Sequence, residues 1–393
     1  MKILIATDNY YPNVNGASYF AQRLARELQD RHHKVLVLAP GQSIKSGYFT
    51  HKGVRVFGVR SIPIIKKIQF RQAVPFSQLT IWPILKDFKP DIIHVQDHFS
   101  LGHSAAYFGR YNNIPVIGTN HFMPENLTHY LHVGSTIEKK VNRLFWQYFL
   151  AIYQRLDAVT VPTQAAADLL RSIGFSKEIK VISNGIDLHK FSPKEDDYAL
   201  RKKYHIPNGK ILLYTGRIDK EKNLDTVIKA LAKLPSDFSI HFVAIGQGMY
   251  QNNLQLLINK LGVAGKVTFT GFVPDEDFPY LLATAYCFIS PGIAELQSIA
   301  TMEAMANALP ILAANAVALP ELVHNDINGF LFEPYDEISL ANYIKKIFTN
   351  EQLHDRLAEG SLQIIKTHDM HQVITQFEKL YEFVIRKKNK FNQ

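Results

Sequence analysis

Short, continuously apolar runs alternate along this chain with longer stretches whose apolar residues fall on one helical face. "KILIAT" opens the series at Lys2. After a loop, "ASYFAQRLARELQDRHH" places Phe20, Leu24 and Leu28 four apart, which predicts a helix with one buried stripe. "KVLVLAP", "VRVFGV", "DIIHVQD", "PVIGTNH" and "AVTVPT" are further apolar runs. Strands apolar at every position, rather than every second one, predict a parallel sheet covered on both faces by helices.

The pattern breaks at "VISNGIDLHKFSPKEDD", where Asn-Gly, a proline and clustered charges signal turn and linker. It restarts at "KILLYTGR" and continues through "SIHFVAIG", "VTFTGF", "YCFIS", "LPILAA" and "GFLFEP", with helices expected from about Asp225 and over "LQLLINKLG". The closing "HQVITQFEKLYEFVIRKK" spaces Val373, Phe377, Tyr381 and Val384 on one helical face and ends basic. The expected fold class is α/β: two doubly wound, Rossmann-like parallel-sheet domains facing a cleft. Ligands of open α/β sheets bind beyond the carboxyl ends of the strands, so residues just after each strand are the candidates for chemistry.

Composition narrows the setting. A chain of 393 residues with 47% apolar residues can fill two cores. Cys287, the one cysteine, excludes an internal disulfide and sits in a run that reads as buried strand. No run approaches the ~20 apolar residues of a membrane span. "MKILIATDNYY" is too short in its apolar part for a signal peptide, so a cytoplasmic protein is expected. The net charge of +9 is uneven: residues 1–186 hold 22 Lys and Arg against 11 Asp and Glu. That excess suits an anionic partner, and equally a plain solvated basic surface. No nucleic-acid motif with aromatic stacking positions is present, so nucleic acid is not the expected partner.

Five places carry candidate chemistry. Asn15-Gly16 ends the loop after the first strand and precedes a helix. A glycine there admits close backbone approach and the helix start favours phosphate, although an ordinary turn fits too. His121 follows "PVIGT" and can hydrogen-bond a hydroxyl or a developing charge. Asp97 and His98, after "DIIHVQ", stand at a comparable place and could touch an acceptor. In "TGRIDKEKN", Arg217 and Lys222 follow Gly216 at a strand end and can clamp a diphosphate.

The fifth place is "AELQSIATMEA", which sets Glu295 and Glu303 in an otherwise small and apolar run. Ser298 reads as an N-cap, so Glu295 lies in the loop and Glu303 inside the helix. Eight positions separate them, too far and rotationally wrong for an intrahelical pair. Two carboxylates flanking a helix start can each accept from paired hydroxyls, with backbone N–H groups between them for phosphate. A sugar nucleotide offers hexose, diphosphate and ribose in that order. Asp275-Glu276-Asp277 forms a D-x-D pattern known from metal sites. It directly precedes the helical "FPYLLATA", where acids are expected on dipole grounds alone.

With these residues in place, the chain resembles the retaining glycosyltransferases of family four, which have the two-domain GT-B fold. The likeness covers nearly the whole chain. Glu295 and Glu303 match the family's paired-glutamate motif, "TGRIDKEKN" its diphosphate segment, and "SNGID" at 183–187 its linker. Gly16 and His121 fall at its diphosphate-facing glycine and sugar-facing histidine. "ELQS" and "TNHFMPEN" look most like bacterial lipid glycosyltransferases, including diacylglycerol glucosyltransferases.

The resemblance implies roles. Residues 1–186 with 370–393 would form the acceptor-side domain and residues 187–369 the donor domain. Arg217 and Lys222 would hold the diphosphate, Glu303 the ribose, and Glu295 and His121 the donor sugar. Asn15, Gly16, Gly216, Gln297, Ser298 and Ile299 would line the donor site, and Asp97 and His98 the acceptor site. No metal or other cofactor is expected. The donor would be UDP-glucose and the acceptor a membrane glycerolipid, with the protein peripheral on the inner face of the cell membrane. A transferase for a polysaccharide or soluble acceptor, and a nucleotide-sugar binder without catalysis, are the alternatives. Two departures stand out: Leu-Gln-Ser follows Glu295 where glycines are common, and Asn15 precedes Gly16 where the family often has a second glycine. "RSIPIIKKIQFRQ" and "IEKKVNRLFWQYF" mix basic with aromatic and aliphatic residues, as a lipid-docking surface or as core-facing amphipathic helices.

Overall fold

The computed structural model describes residues 1–13, 15–43, 45–65, 70–124 and 135–391. Contacts divide the chain into two units, Met1–Asn184 with His371–Gln393, and Gly185–Met370.

The first unit holds strands β1 (Lys2–Ala6), β2 (Lys34–Pro40), β3 (Gly47–His51), β4 (Val54–Val59), β5 (Ser61–Ile65), β6 (Phe70–Ala73), β7 (Ile92–Val95), β8 (Val116–Thr119), β9 (Ala158–Val161) and β10 (Ile179–Val181). Eight of them form one sheet in the order β10-β9-β8-β7-β1-β2-β4-β3. All neighbours are parallel except β3, which runs antiparallel to β4. Ile3, Leu4, Ile5 and Ala6 of central β1 are fully buried, as their unbroken apolar run requires. Strand order reverses between β1 and β7, so Thr7-Asp8 and Gln96-Asp97 emerge together at a topological switch point.

The second unit holds β11 (Ile211–Thr215), β12 (His241–Ile245), β13 (Val267–Gly271), β14 (Cys287–Ser290), β15 (Ile311–Ala314) and β16 (Gly329–Phe332). They form a six-stranded sheet, β13-β12-β11-β14-β15-β16, parallel throughout. Its switch point lies between β11 and β14, where Gly216-Arg217 and Pro291-Gly292 emerge.

The two basic and apolar segments take different forms. The described residues of "RSIPIIKKIQFRQ" form strand, not helix: β5 and β6 pair as an antiparallel hairpin. Pro63 and a run of β-branched isoleucines favour extended backbone over helix. Arg71 Nε donates to Ser61 Oγ at 2.8 Å and closes the open end. Ile62 and Ile64 are exposed, while Lys66, Lys67 and Ile68 lie outside the described residues. In "IEKKVNRLFWQYF" the helix Ser135–Tyr153 does form. Trp146 and Phe149 turn into the core, with ring centroids 5.6 Å apart, and Lys139, Lys140, Arg143 and Leu144 are left outside. Among the described residues no helix is long and apolar enough to cross a membrane.

The terminal helix Met370–Phe391 buries Val373, Phe377, Tyr381 and Val384. Its Glu378 accepts from Arg31 and, at 2.8 Å, from His33 Nε2. Lys388 Nζ donates to Asp157 Oδ1 at 2.9 Å further along. Burial opposes the Glu378 charge, but the hydrogen bonds from His33 and Arg31 outweigh it and hold the carboxyl below its ordinary value. A depressed carboxyl stabilises the fold above its unfolded pKa and loses that contribution as pH falls through the folded one. Glu378→Gln is therefore expected to cost about 1–2 kcal/mol at neutral pH. Thermal melts across pH should show the gap to the parent closing once the pH drops below 4.5. A gap that is constant down to acid pH would remove the ion pair from the account.

Candidate active site

The loop after β11 is built around glycines that no other residue could replace. Gly216 and Gly246 have φ of +143° and +133°. A Cβ on Gly246 would lie 2.0 Å from the Gly216 carbonyl oxygen, and one on Gly248 2.1 Å from the Ile218 oxygen. The ends of β11 and β12 thus touch backbone to backbone, and Ile218 N donates to Gln247 O at 3.0 Å. This contact fixes where the residues after Gly216 go.

Arg217 and Lys222 are not two solvated charges. Arg217 donates to the buried carboxylate of Asp219 and, at 2.9 Å, to Glu221 Oε1. Asp219 is itself anchored, its Oδ1 accepting from Met249 N at 3.0 Å. The Tyr214 hydroxyl donates to the Arg217 carbonyl at 2.7 Å. Burial, reinforced by the Glu295 charge, pushes that phenol above its ordinary range, so it stays a donor.

Lys222 Nζ donates to Glu295 Oε1 at 2.6 Å, with the two side chains only 14% and 21% exposed. Glu295 thus has a counter-charge from a different loop, which its own stretch does not offer. Gly292 leaves room beside the pair, since a Cβ there would stand 3.1 Å from Glu295 Oε1. Ile293 N to Glu221 O, at 3.2 Å, ties the two loops together.

After Glu295 the chain enters the helix Ile299–Ala306. Ser298 is its N-cap: its Oγ accepts from Thr301 N at 3.3 Å and from Thr301 Oγ1 at 2.8 Å. The N–H groups of Ile299 and Ala300 precede the first intrahelical bond and remain for another acceptor. Glu303 is buried in the second turn, 7% exposed, while Ile299, Met302 and Met305 supply the packing face. Gln297 and Ser298 are buried as well. The second unit therefore gathers Gly216, Arg217, Lys222 and Glu295 at its switch point, and Glu303 one helix further. Asp277 stands at the N-cap of the helix Phe278–Ala283, where the dipole reading expects an acid, although its side chain makes no capping hydrogen bond. Its carboxylate accepts from Lys203 Nζ at 2.6 Å and from the Tyr204 hydroxyl, which spends it on packing.

In the first unit Asn15 caps the helix Gly16–Asp30, its Oδ1 accepting from Ser18 N at 2.9 Å. Phe20, one turn on, lies 4.8 Å from the His121 ring, centroid to centroid. The N-terminus of this helix and His121 are thus neighbours. His121 Nε2 contacts Gln96 Oε1 at 3.0 Å. Below it, His94 bridges the Tyr381 hydroxyl at 2.8 Å and Thr119 Oγ1 at 2.6 Å. Burial pushes His121 and His94 down to about 3, so both are neutral near pH 7 and can hydrogen-bond without carrying charge.

Asp97 and His98 differ sharply in surroundings. Asp97 Oδ2 accepts from Asp8 N at 2.7 Å and from Thr7 Oγ1 at 3.3 Å. Asp8 in turn caps the helix Ser100–Tyr111 through Ser100 Oγ at 2.9 Å and Leu101 N at 3.0 Å. Burial raises both carboxyls, and the Asp8 charge raises Asp97 further, so the two titrate as a coupled pair. His98 is enclosed by the rings of Phe99, Phe122, Tyr148, Phe149 and Tyr153, with no hydrogen-bond partner on either nitrogen among the described residues. Reading strand ends alone passed over Asp8, Gln96, Asp219 and Glu221, although each stands within seven residues after an apolar run.

Comparison with known proteins fits this geometry. The profile described as "Glycosyltransferase Family 4" matches residues 14–190, and "Glycosyl transferases group 1" matches residues 196–363. The chain is 30% identical over 389 residues to the alpha-monoglucosyldiacylglycerol synthase of Streptococcus pneumoniae, spanning 97% of this chain and 82% of that one. It is 26% identical to a GDP-mannose-dependent alpha-mannosyltransferase of Corynebacterium glutamicum, over 98% of this chain and 89% of the other. Among solved structures, sucrose-phosphate synthase from Thermosynechococcus elongatus superposes with a TM-score of 0.81 at 17% identity, covering 98% of this chain and all (100%) of that one. That last likeness concerns the fold alone.

Proposed function

The chain belongs to glycosyltransferase family 4 and has the GT-B fold, and we propose that it moves a hexose, with retention, from UDP-glucose to a membrane glycerolipid such as diacylglycerol. The observation that carries this reading is the Lys222–Glu295 contact at the switch point of the second unit. One contact there offers a cation for a diphosphate and a carboxylate for sugar hydroxyls.

On this reading Arg217 and Lys222 stabilise the departing diphosphate, doing the work a divalent ion does elsewhere. Glu295 and the neutral His121 orient the hexose, and Glu303 holds the ribose. The bond from the anomeric carbon to phosphate oxygen breaks while the acceptor hydroxyl attacks on the same face. The hydroxyl proton passes to the departing phosphate oxygen.

The lipid acceptor is supported by the name of the pneumococcal relative and by the surface of the first unit. Counted over residues 1–184 and 371–393, that unit carries 27 Lys and Arg against 13 Asp and Glu. It exposes Phe76, Leu79, Tyr107 and Tyr111, the two tyrosines stacked on Trp82 with centroids 5.8 and 6.2 Å away. Aromatic and basic surface together suit an anionic bilayer. The corynebacterial relative favours a second donor, GDP-mannose. Incubation with UDP-glucose, UDP-galactose and GDP-mannose, each with diacylglycerol vesicles and EDTA, followed by mass spectrometry of the lipids, separates the readings. A hexosyl-diacylglycerol made from UDP-glucose is expected. Sedimentation with anionic liposomes should be strong at low salt and fade as salt rises; no association at low salt would sink the lipid acceptor.

A further inference from the structure

A neutral imidazole has one donor and one acceptor nitrogen, and its hydrogen-bond partner decides which is which. For His121 that partner is Gln96, whose Oε1 lies 3.0 Å from Nε2. An amide oxygen only accepts, so Nε2 carries the hydrogen and Nδ1 keeps its lone pair. Nδ1 makes no hydrogen bond among the described residues.

The glutamine is held firmly. Its backbone N–H donates to Ala6 O at 2.9 Å, within the sheet between β7 and β1. It is 1% exposed, yet its side-chain Nε2 has no partner among the described residues. A buried amide donor without an acceptor is unfavourable and rare in folded proteins. Folding has therefore left an unmet buried donor on Gln96, and beside it a His121 ring whose Nδ1 lone pair accepts no hydrogen bond among the described residues. A sugar hydroxyl, which donates and accepts at once, answers both.

We propose that Gln96 is a positioning residue for the sugar: it fixes His121 as the Nε2–H tautomer, so that Nδ1 accepts from a hexose hydroxyl, and its free amide N–H donates to a hexose oxygen. This rests on the glycosyl-transfer reading above. The opposite amide orientation would put the proton on Nδ1 and leave the amide oxygen, in place of the nitrogen, unpaired, so the tautomer is the quantity to measure.

The test uses the full chain labelled with 15N-histidine. Long-range 1H–15N spectra report the tautomer, and the signals lost in His121→Asn assign the ring. In the parent, Nε2 should be the protonated nitrogen. Gln96→Leu should lose that preference and lower kcat about 10- to 100-fold, with affinity for free UDP within about twofold. Gln96→Glu keeps an acceptor oxygen, so it should keep the proton on Nε2 and recover part of the lost kcat. A proton on Nδ1 in the parent overturns the proposal. So does Gln96→Leu with unchanged tautomer and kcat, or an equal loss in both variants. If no nucleotide sugar is turned over, the glycosyl-transfer reading fails, and the spectra still decide the tautomer.

Discussion

Lys222→Met is expected to lower kcat/KM roughly a thousandfold, the scale of removing one donor from a site that stabilises transition-state charge. Two effects combine. The departing diphosphate loses a cation at the moment its charge grows. Glu295, mostly buried and bonded to Lys222 at 2.6 Å, is left as an uncompensated negative charge that any incoming diphosphate must approach. The double variant Lys222→Met with Glu295→Gln separates them. It should regain nucleotide affinity relative to Lys222→Met, because the repulsion is gone, but should not regain kcat. Steady-state kinetics and calorimetry with UDP read the two quantities. A kcat/KM within about threefold of the parent for Lys222→Met would remove the lysine from the leaving-group role.

The same pair shows what a sequence can and cannot display. The central strands were legible because β1, β2, β7, β11 and β14 are buried on both faces, which forces unbroken apolar runs. Ser298 was legible because an N-cap is a local choice of side chain. The hairpin of β5 with β6 was not: Ile62 and Ile64 face solvent, and the alternation of the sequence is confused by lysines. The Arg217 pairing with Asp219 and Glu221 is local and stood in "RIDKE" to be read. The Lys222–Glu295 contact spans 73 positions, and no periodicity reports a contact between two loops. Gln96 was hidden for another reason. It extends an apolar strand by one polar residue, and only the fold reveals that this residue faces a histidine from the adjacent strand end, after β8.

The second large effect divides the two glutamates. Glu303→Ala is expected to weaken UDP binding about 10- to 100-fold, the loss of one or two hydrogen bonds to a charged acceptor. Its place fits that role: it is buried within a short helix whose last turn is braced by Asn307 Nδ2 donating to the Glu303 carbonyl at 2.9 Å. 2′-Deoxy-UDP supplies the control, since it should bind the parent more weakly but lose little further in Glu303→Ala. Glu295→Ala should behave in the opposite way. Free UDP has no hexose, and among the described residues the Glu295 carboxylate is held by Lys222. Removing the carboxylate releases the lysine to the diphosphate, and UDP affinity should be unchanged or higher while transfer falls about a hundredfold or more. On the proposed function the ion pair would act as a placeholder in the free protein: the lysine would exchange its carboxylate for phosphate, and the carboxylate would turn to sugar hydroxyls. Equal losses of UDP affinity in the two variants would show that both carboxylates grip the nucleotide and that no such exchange takes place.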